Sequence, residues 1–448
     1  MSLPFHLLIV FVAFAAAVAS QGGYYPPGRF LVTALVVLAL VVTLYVHGRP
    51  GRQWWPLLAA CAALAAWAAV RAAAGGSVAS AVPTVATLGC VAAAALVVSR
   101  TDAAQRELCA GVAVGVGVLV AVSGWVGVAW RVQPLALATD ERLWRATSTL
   151  TYANAAAALL APLSVLSVAL LLARPRSPVR VVTTYLLLVG LGATLSRAGV
   201  LACLVGLVVL AGLAGVRATA RAVLPGLTGA VIAAGGLVLS SPVTARPQPV
   251  LAAAALAAGL VVAVGGTWLP RRVRVVAVLA GVAAAAAAAT QVSARGMDIL
   301  TDSRAHLRSP TRFDSAQAAL HLVAEQPLVG VGPGRAVLTW ALPDGRVVSG
   351  RYAHNEYLQV LVELGALGLL LLLGVIVAVV LIVRRGRPVA SSPLLWAGAT
   401  AGLVAFLVHS GFDFLWQIPV IPLTGALLAG LAGPAFHIRH GPAEKEEE

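Results

Sequence analysis

Long apolar segments alternate with short polar loops along most of this chain. The segments are rich in Ala, Val, Leu and Gly, and they recur from residue 4 to residue 433. A helix needs about 20 such residues to cross the hydrocarbon core of a bilayer, where it satisfies its own backbone hydrogen bonds. The pattern therefore predicts an all-α polytopic membrane protein with about twelve to fourteen transmembrane helices.

The predicted spans lie near residues 4–20, 30–47, 56–74, 79–98, 108–130, 150–173, 180–195, 198–215, 221–240, 250–268, 274–290, 356–383, 393–410 and 417–433. The seventh and eighth flank Ser196 and Arg197, and they fit either a tight hairpin or one interrupted helix. The chain thus divides into N-terminal membrane helices at 1–290, a loop at 291–353, C-terminal membrane helices at 354–436 and a short tail at 437–448.

The loop at 291–353 contains a predicted helix, because Pro310 suits a helix start and Pro327 a helix end. Apolar residues recur at helical spacing and predict one apolar face, formed by Phe313, Ala316, Leu320, Val323 and Ala324. We expect this short amphipathic helix to lie flat on the membrane or to cap a cavity. The turn-rich segment 330–334 follows it, and there the backbone is expected to approach a ligand closely.

Basic residues predict the orientation in the membrane. The net charge is +15, but the cations are spread over short loops, which argues against a nucleic-acid-binding surface. With the N-terminus in the cytoplasm, the inner loops and the tail hold 17 basic residues and the short outer loops hold seven. The positive-inside rule then places both termini in the cytoplasm and residues 291–353 on the outer face of the cell membrane.

His354 is the first candidate catalytic residue, since it stands in the sequence AHNEYLQ at the mouth of a predicted span. Histidine exchanges a proton near neutral pH. Glu356 and Glu363, seven residues apart, share one face of the following helix, and an acidic residue in an apolar segment is a functional candidate. His354 and Asn355 equally fit a helix cap at the level of the lipid headgroups.

Cations and polar residues elsewhere provide further candidates. Arg197 is a lone cation between two apolar segments, and it either reaches to the membrane interface or binds a diphosphate. Arg145 and Asn154 precede and enter the sixth span, where they anchor a helix or line a cavity. His409 and Asp413 are four residues apart and are predicted to pair on one helix face, as a structural pair. These groups include no carboxylate set of metal-ligand type, and we expect no metal cofactor.

Three segments together resemble the O-antigen ligase and polymerase superfamily of membrane transferases that use lipid-linked glycans. Residues 145–154 (RATSTLTYAN) are similar to the family pattern Arg-x-x-Gly-Thr-Phe-x-x-x-Asn, and residues 194–199 (TLSRAG) to Thr-x-Ser-Arg-Gly/Ala. The third and most specific likeness is residues 326–334 (QPLVGVGPG) followed by residues 354–365 (HNEYLQVLVELG). The resemblance covers roughly residues 140 to 430.

The resemblance implies a C-type glycosyltransferase-like membrane fold with an outward-facing cavity. It implies transfer of a glycan from a polyprenyl-diphosphate donor to a hydroxyl of a glycan, lipid or protein acceptor, without a metal. His354 would then act as the general base, and Arg197 with a loop arginine such as Arg312 would neutralise the diphosphate. The remaining residues expected to bind substrate are Arg145, Asn154, Asn355, Glu356 and Tyr357, with Glu363, His409 and Asp413 in support.

Several alternatives stay open at this stage. Ser148 and Leu150 replace the family's Gly and Phe, and the segment after Arg312 lacks an expected Trp, so the acceptor is left open. A polysaccharide repeat-unit polymerase and a protein O-oligosaccharyltransferase fit the same motifs. A transporter or flippase of lipid-linked glycans also fits many spans with buried charges, although the sequence shows no symmetry between halves.

Overall fold

The computed structural model describes residues 3–138, 142–268, 310–342 and 345–434, together with the helical positions 272, 279 and 283. The described helices are α1 Phe5–Ala19, α2 Pro26–His47, α3 Trp55–Ala74, α4 Val82–Ser99, α5 Ala103–Trp130, α6 Ala153–Ala173, α7 Pro178–Ala193, α8 Arg197–Ala214, α9 Val216–Val238, α10 Pro249–Trp268, α11 Pro310–Glu325, α12 Glu356–Gly386, α13 Pro393–Ser410 and α14 Val420–Ala432. Two antiparallel hairpins pair β1 Ala136–Ala138 with β2 Trp144–Ala146, and β3 Leu338–Ala341 with β4 Val347–Gly350.

Ten of the described helices are long and apolar enough to cross a membrane, and α1, α7 and α14 are shorter apolar helices. This confirms the prediction of an all-α polytopic membrane protein. Segments 180–195 and 198–215 form two separate helices, α7 and α8, joined by the short turn 194–196. Apart from positions 279 and 283, the predicted span 274–290 lies outside the described residues, as do residues 291–309 of the loop and the tail.

Helix α6 is the centre of the bundle, since 94% of the residues in its most apolar stretch are buried. It packs against α5, α7, α8 and α13, and its Ala-rich sequence lets these helices approach closely. The close fit extends to α13, where a side chain added at Gly398 would collide with Ala169 of α6. Because α6 and α13 are held together, the N-terminus of α6 is fixed beside the C-terminus of α13.

Helix α12 is broken at Gly365, which has φ 69° and ψ −171°. The chain after α11 fills the break with its own backbone. The N–H of Val331 donates to the carbonyl of Val362 over 2.9 Å, and the N–H of Ala366 donates to the carbonyl of Pro327 over 2.9 Å. Backbone groups freed by a break in an apolar helix need such partners, so the loop and α12 stabilise each other.

The first part of the turn-rich segment 330–334 lies against this break, since the N–H groups of Val331 and Gly332 donate to the carbonyls of Val362 and Glu363. Gly330 has φ 68°, and a side chain there would collide with the backbone of Glu363. The close approach that glycine permits is therefore made to the chain's own helix.

Helix α11 confirms the predicted position of a loop helix, and a different set of residues forms its contact with the protein. Phe313 and Leu320 are exposed, at 58% and 56%, whereas Ser315, Ala318 and Ala319 are buried. Small side chains allow α11 to lie close to α12 and strand β3, and the larger apolar side chains are left on the outside.

Substituting Gly365 with Ala is expected to destabilise the protein. The residue has a positive φ, and a Cβ would collide with the backbone of Leu328, at a cost of about 1–3 kcal/mol or more. Thermal unfolding in detergent measures the loss. Gly374→Ala is the matched control, because Gly374 lies in the same helix with nothing within 4 Å of an added Cβ. Equal stability of the two variants would contradict the account of the break.

Candidate active site

The carboxylate of Asp413 is the point at which the predicted site residues meet. It follows the C-terminus of α13, and its side chain is 1% exposed. Its Oδ2 accepts hydrogen bonds from the hydroxyl of Tyr152 at 2.5 Å and from the amide of Asn154 at 2.6 Å. Arg312 forms an ion pair with the same oxygen at 3.2 Å. His354 Nδ1 lies 2.9 Å from Oδ1.

His354 is held in the turn before α12, where its backbone φ is 50°. The next residue, Asn355, accepts a hydrogen bond from the N–H of Leu358 at 3.1 Å and so caps α12. This cap fixes the start of the helix and the direction of the His354 side chain, which is 27% exposed. The structure therefore gives Asn355 a capping role and places His354 between the buried carboxylate and the surface.

Asn154 links Asp413 to a more distant cation. It lies in the first turn of α6 and is buried. Its Oδ1 accepts a hydrogen bond from Arg145 at 2.9 Å, and Nε of Arg145 donates to the carbonyl of Thr194 at 2.8 Å. Arg145 thereby joins strand β2, helix α6 and the turn between α7 and α8.

Two further arginines are candidates for binding an anion: Arg312 lies on the exposed side of this network, and Arg197 follows the turn that Arg145 contacts. Arg312, from α11, donates to the carbonyl of Phe412 at 3.1 Å in addition to its ion pair, and its side chain is 37% exposed. Arg197 is exposed at the first position of α8, directly after Ser196, whose hydroxyl caps the helix by accepting from the N–H of Gly199. A helix N-terminus carries partial positive charge, so Arg197 stands at a position suited to an anion.

The electrostatics keep Asp413 ionised. Burial by itself would raise the pKa of this carboxyl, but the hydrogen bond from His354 and the charge of Arg312 overcome that effect and lower its pKa to about 2. The pKa of Tyr152 is raised by burial and by the neighbouring Asp413 carboxylate, so its hydroxyl remains a donor. A permanent negative charge therefore faces Nδ1 of His354.

Aromatic rings form one wall beside His354. Phe414 stacks on Tyr352 with ring centroids 4.3 Å apart and on Tyr152 with centroids 5.5 Å apart. The ring of His354 meets Phe414 edge to face at 5.2 Å. Sequence reasoning missed Tyr352 and Phe414 as site residues, since aromatic residues are common at membrane interfaces and carry no special signal there.

Glu356 and Tyr357 are not directed at Asp413 but have partners within the fold. Glu356 is buried and accepts the backbone N–H of Trp416, and the Tyr357 hydroxyl donates to the carbonyl of Leu407 at 2.7 Å. Both contacts join α12 to the segment around α13 that carries Asp413. Glu363 accepts from Gln359 at 2.7 Å on the same helix, and the predicted shared face of Glu356 and Glu363 lines a small cavity.

The predicted pairing of His409 with Asp413 on one helix face is wrong. Helix α13 ends at Ser410, so Asp413 lies in the following turn and takes His354 as its histidine partner. His409 is fully buried, and neither ring nitrogen has a hydrogen-bond partner within the described part of the chain. Within the same residues, no group of three or more His, Cys, Asp and Glu side chains is arranged to hold a metal ion.

Comparison with known proteins supports one family. Residues 250–373 match the family model described as O-antigen ligase, and this confirms the resemblance to the O-antigen ligase and polymerase superfamily. A search of curated proteins finds no significant match. The matched range includes α11, His354 and the break in α12, while Asp413, Arg145 and Arg197 lie outside it.

Asp413→Asn is expected to remove an acid-dependent part of the stability. The folded-state pKa of about 2 lies below the usual value of about 3.9, so the carboxylate stabilises the fold above about pH 4 and loses this effect as the pH falls toward 2. The contribution is roughly 2 kcal/mol. Thermal unfolding over this range measures it, with Asp314→Asn, on α11, as the control. An unchanged acid dependence in Asp413→Asn would contradict the network.

Proposed function

We propose that this protein transfers a glycan from a polyprenyl-diphosphate donor to an acceptor hydroxyl at the outer face of the cytoplasmic membrane. O-antigen ligase or polymerase-type function follows from the family match. The single observation that supports the finer assignment is the hydrogen bond between His354 and the buried Asp413, which Arg312 also contacts directly and Arg145 through Asn154. Donor, acceptor and membrane side are part of the proposal.

His354 acts as the general base. Nδ1 of His354 is hydrogen-bonded to the Asp413 carboxylate, which can only accept. The neutral ring therefore carries its proton on Nδ1 and has its lone pair on Nε2. Nε2 then takes the proton of the acceptor hydroxyl, and the Asp413 carboxylate stabilises the imidazolium that forms. A buried carboxylate that orients a histidine in this way is the arrangement used in hydrolase triads.

The arginines act on the leaving group. As the acceptor oxygen forms its bond to the anomeric carbon, the bond from that carbon to the diphosphate oxygen breaks and its electron pair stays on the diphosphate. Arg197 and Arg312 neutralise this developing charge. Arg145 holds Asn154 in place by a hydrogen bond. Guanidinium groups suit this role because they bind phosphate oxygens in a bidentate manner. Direct attack inverts the anomeric configuration.

A repeat-unit polymerase and a protein O-oligosaccharyltransferase would use the same dyad and cations, and they differ in the acceptor alone. A flippase would move the lipid-linked glycan without breaking a bond. An activated histidine beside phosphate-binding cations supports a transferase over a flippase, because translocation has no use for a general base.

His354→Ala is expected to lower the rate of glycan transfer by about 10²–10⁴-fold, because the general base is lost. The protein is reconstituted in nanodiscs with polyprenyl-diphosphate glycan and candidate acceptors in the presence of EDTA, and products are followed by mass spectrometry. His321→Ala is the control, since His321 is exposed on α11. Full activity in His354→Ala, or passage of the intact lipid across a vesicle bilayer with no transfer, would overturn the assignment.

Arg197→Ala is expected to lower kcat by about 10²–10³-fold, the usual loss when one charge-stabilising group is removed. Arg197→Lys should recover part of this, because a point charge replaces a bidentate donor. Arg217→Ala, an exposed arginine that follows α8, is the matched control. A changed KM for the donor with unchanged kcat would assign Arg197 to ground-state binding instead.

A further inference from the structure

A second polar cavity of about 330 Å³ lies close to the candidate site. This volume is within the usual range for small-molecule sites, about 300–1,000 Å³. Its walls include Tyr24, Tyr25, Arg29, Thr84, Tyr352 and Glu363. The cavity is thus formed by the N-terminal ends of α2 and α4 against the turn before α12 and the first part of that helix, and none of the arginines assigned to the diphosphate lines it.

The cavity is connected to His354 through stacked rings. Tyr352 forms part of its wall and hydrogen-bonds Tyr24 through the two hydroxyls at 3.3 Å. The ring of Tyr352 stacks on Phe414, and Phe414 contacts His354 edge to face. A molecule in the cavity would therefore be separated from His354 by the rings of Tyr352 and Phe414, and neither Asn154 nor Arg312 lines the cavity.

The groups in the wall match the chemistry of a sugar. Glu363 is only 8% exposed and uses two acceptor positions, for the amide of Gln359 and the N–H of Gly334. A carboxylate has about four such positions, so it can accept further hydrogen bonds from hydroxyl donors. Arg29 also lines the cavity, and its guanidinium has donors beyond the two hydrogen bonds that Nη2 makes to the carbonyls of Tyr24 and Gln417.

Tyrosine rings complete this match, because they present an apolar face with a polar edge. Sugars combine many hydroxyls with apolar C–H faces, and the cavity offers both kinds of surface. A carboxylate held within a membrane helix is also costly unless it serves a function, and the hydrogen bonds within the fold leave part of Glu363 unused.

We propose that this cavity binds a saccharide unit of the acceptor, with Glu363 and Arg29 hydrogen-bonding its hydroxyls and the tyrosines packing on its faces. This inference rests on the proposed function. The donor diphosphate is bound on the arginine side of Asp413, and the acceptor reaches His354 from the cavity side. Such a division suits a displacement in which the nucleophile and the leaving group occupy different sides of the reacting carbon.

The test measures binding of free sugars and not transfer. Saturation-transfer NMR is recorded on the protein in nanodiscs with glucose, galactose, mannose and glucuronic acid. Thr84→Trp fills the cavity, and Val85→Trp is the matched control, because the neighbouring Val85 is 39% exposed and lies outside the cavity. At least one sugar should show transfer with wild type and Val85→Trp, and about tenfold weaker binding with Thr84→Trp.

A second variant guards against misfolding. Glu363→Gln keeps the size of the side chain but removes its charge, and it should weaken sugar binding in the same assay, with thermal unfolding recorded to confirm that the variant is folded. No signal with any of the four sugars, or equal signals in wild type and Thr84→Trp, would overturn the proposal. Sugar binding without any glycan transfer would support the cavity and overturn the transferase assignment, so the two failures are distinguishable.

Discussion

A single buried carboxylate organises the candidate active site of this protein. Asp413 receives hydrogen bonds from helix α6, from the segment before it and from the turn before α12, and it pairs with Arg312 of α11. An unpaired charge at 1% exposure would be strongly unfavourable. Each of these elements must therefore reach Asp413 for the fold to be stable, and the same requirement brings the candidate base and cations together.

The membrane helices make this convergence possible because they are packed through small residues. The Ala-rich α6 fits closely against α13, so the N-terminus of α6 and the C-terminus of α13 stay adjacent. The break in α12 at Gly365 contributes to the same convergence. By hydrogen-bonding the loop after α11 to α12, it ties Arg312 and His354 into one unit.

The aromatic wall formed by Tyr352 and Phe414 lies between His354 and the second cavity. Phe414 directly follows Asp413 in the chain, and its ring contacts both His354 and Tyr352. Arg312 pairs with Asp413, and Tyr352 lines a cavity that also contains Glu363. In the proposed reaction, His354 acts between an anionic donor and a hydroxyl-rich acceptor, as transfer between two bound substrates requires.

The sequence by itself determined the membrane class, the helix positions and the identity of His354, Arg145, Asn154, Arg197 and Arg312 as candidates. Apolar length and isolated polar residues are local properties, since the bilayer constrains each segment separately. Only the tertiary structure decided that Asp413 pairs with His354, 59 residues away, and not with His409, four residues away. It also decided that α11 buries its alanines and exposes Phe313 and Leu320. Both outcomes depend on which helices pack together, and apolar segments of similar composition carry little information about their neighbours.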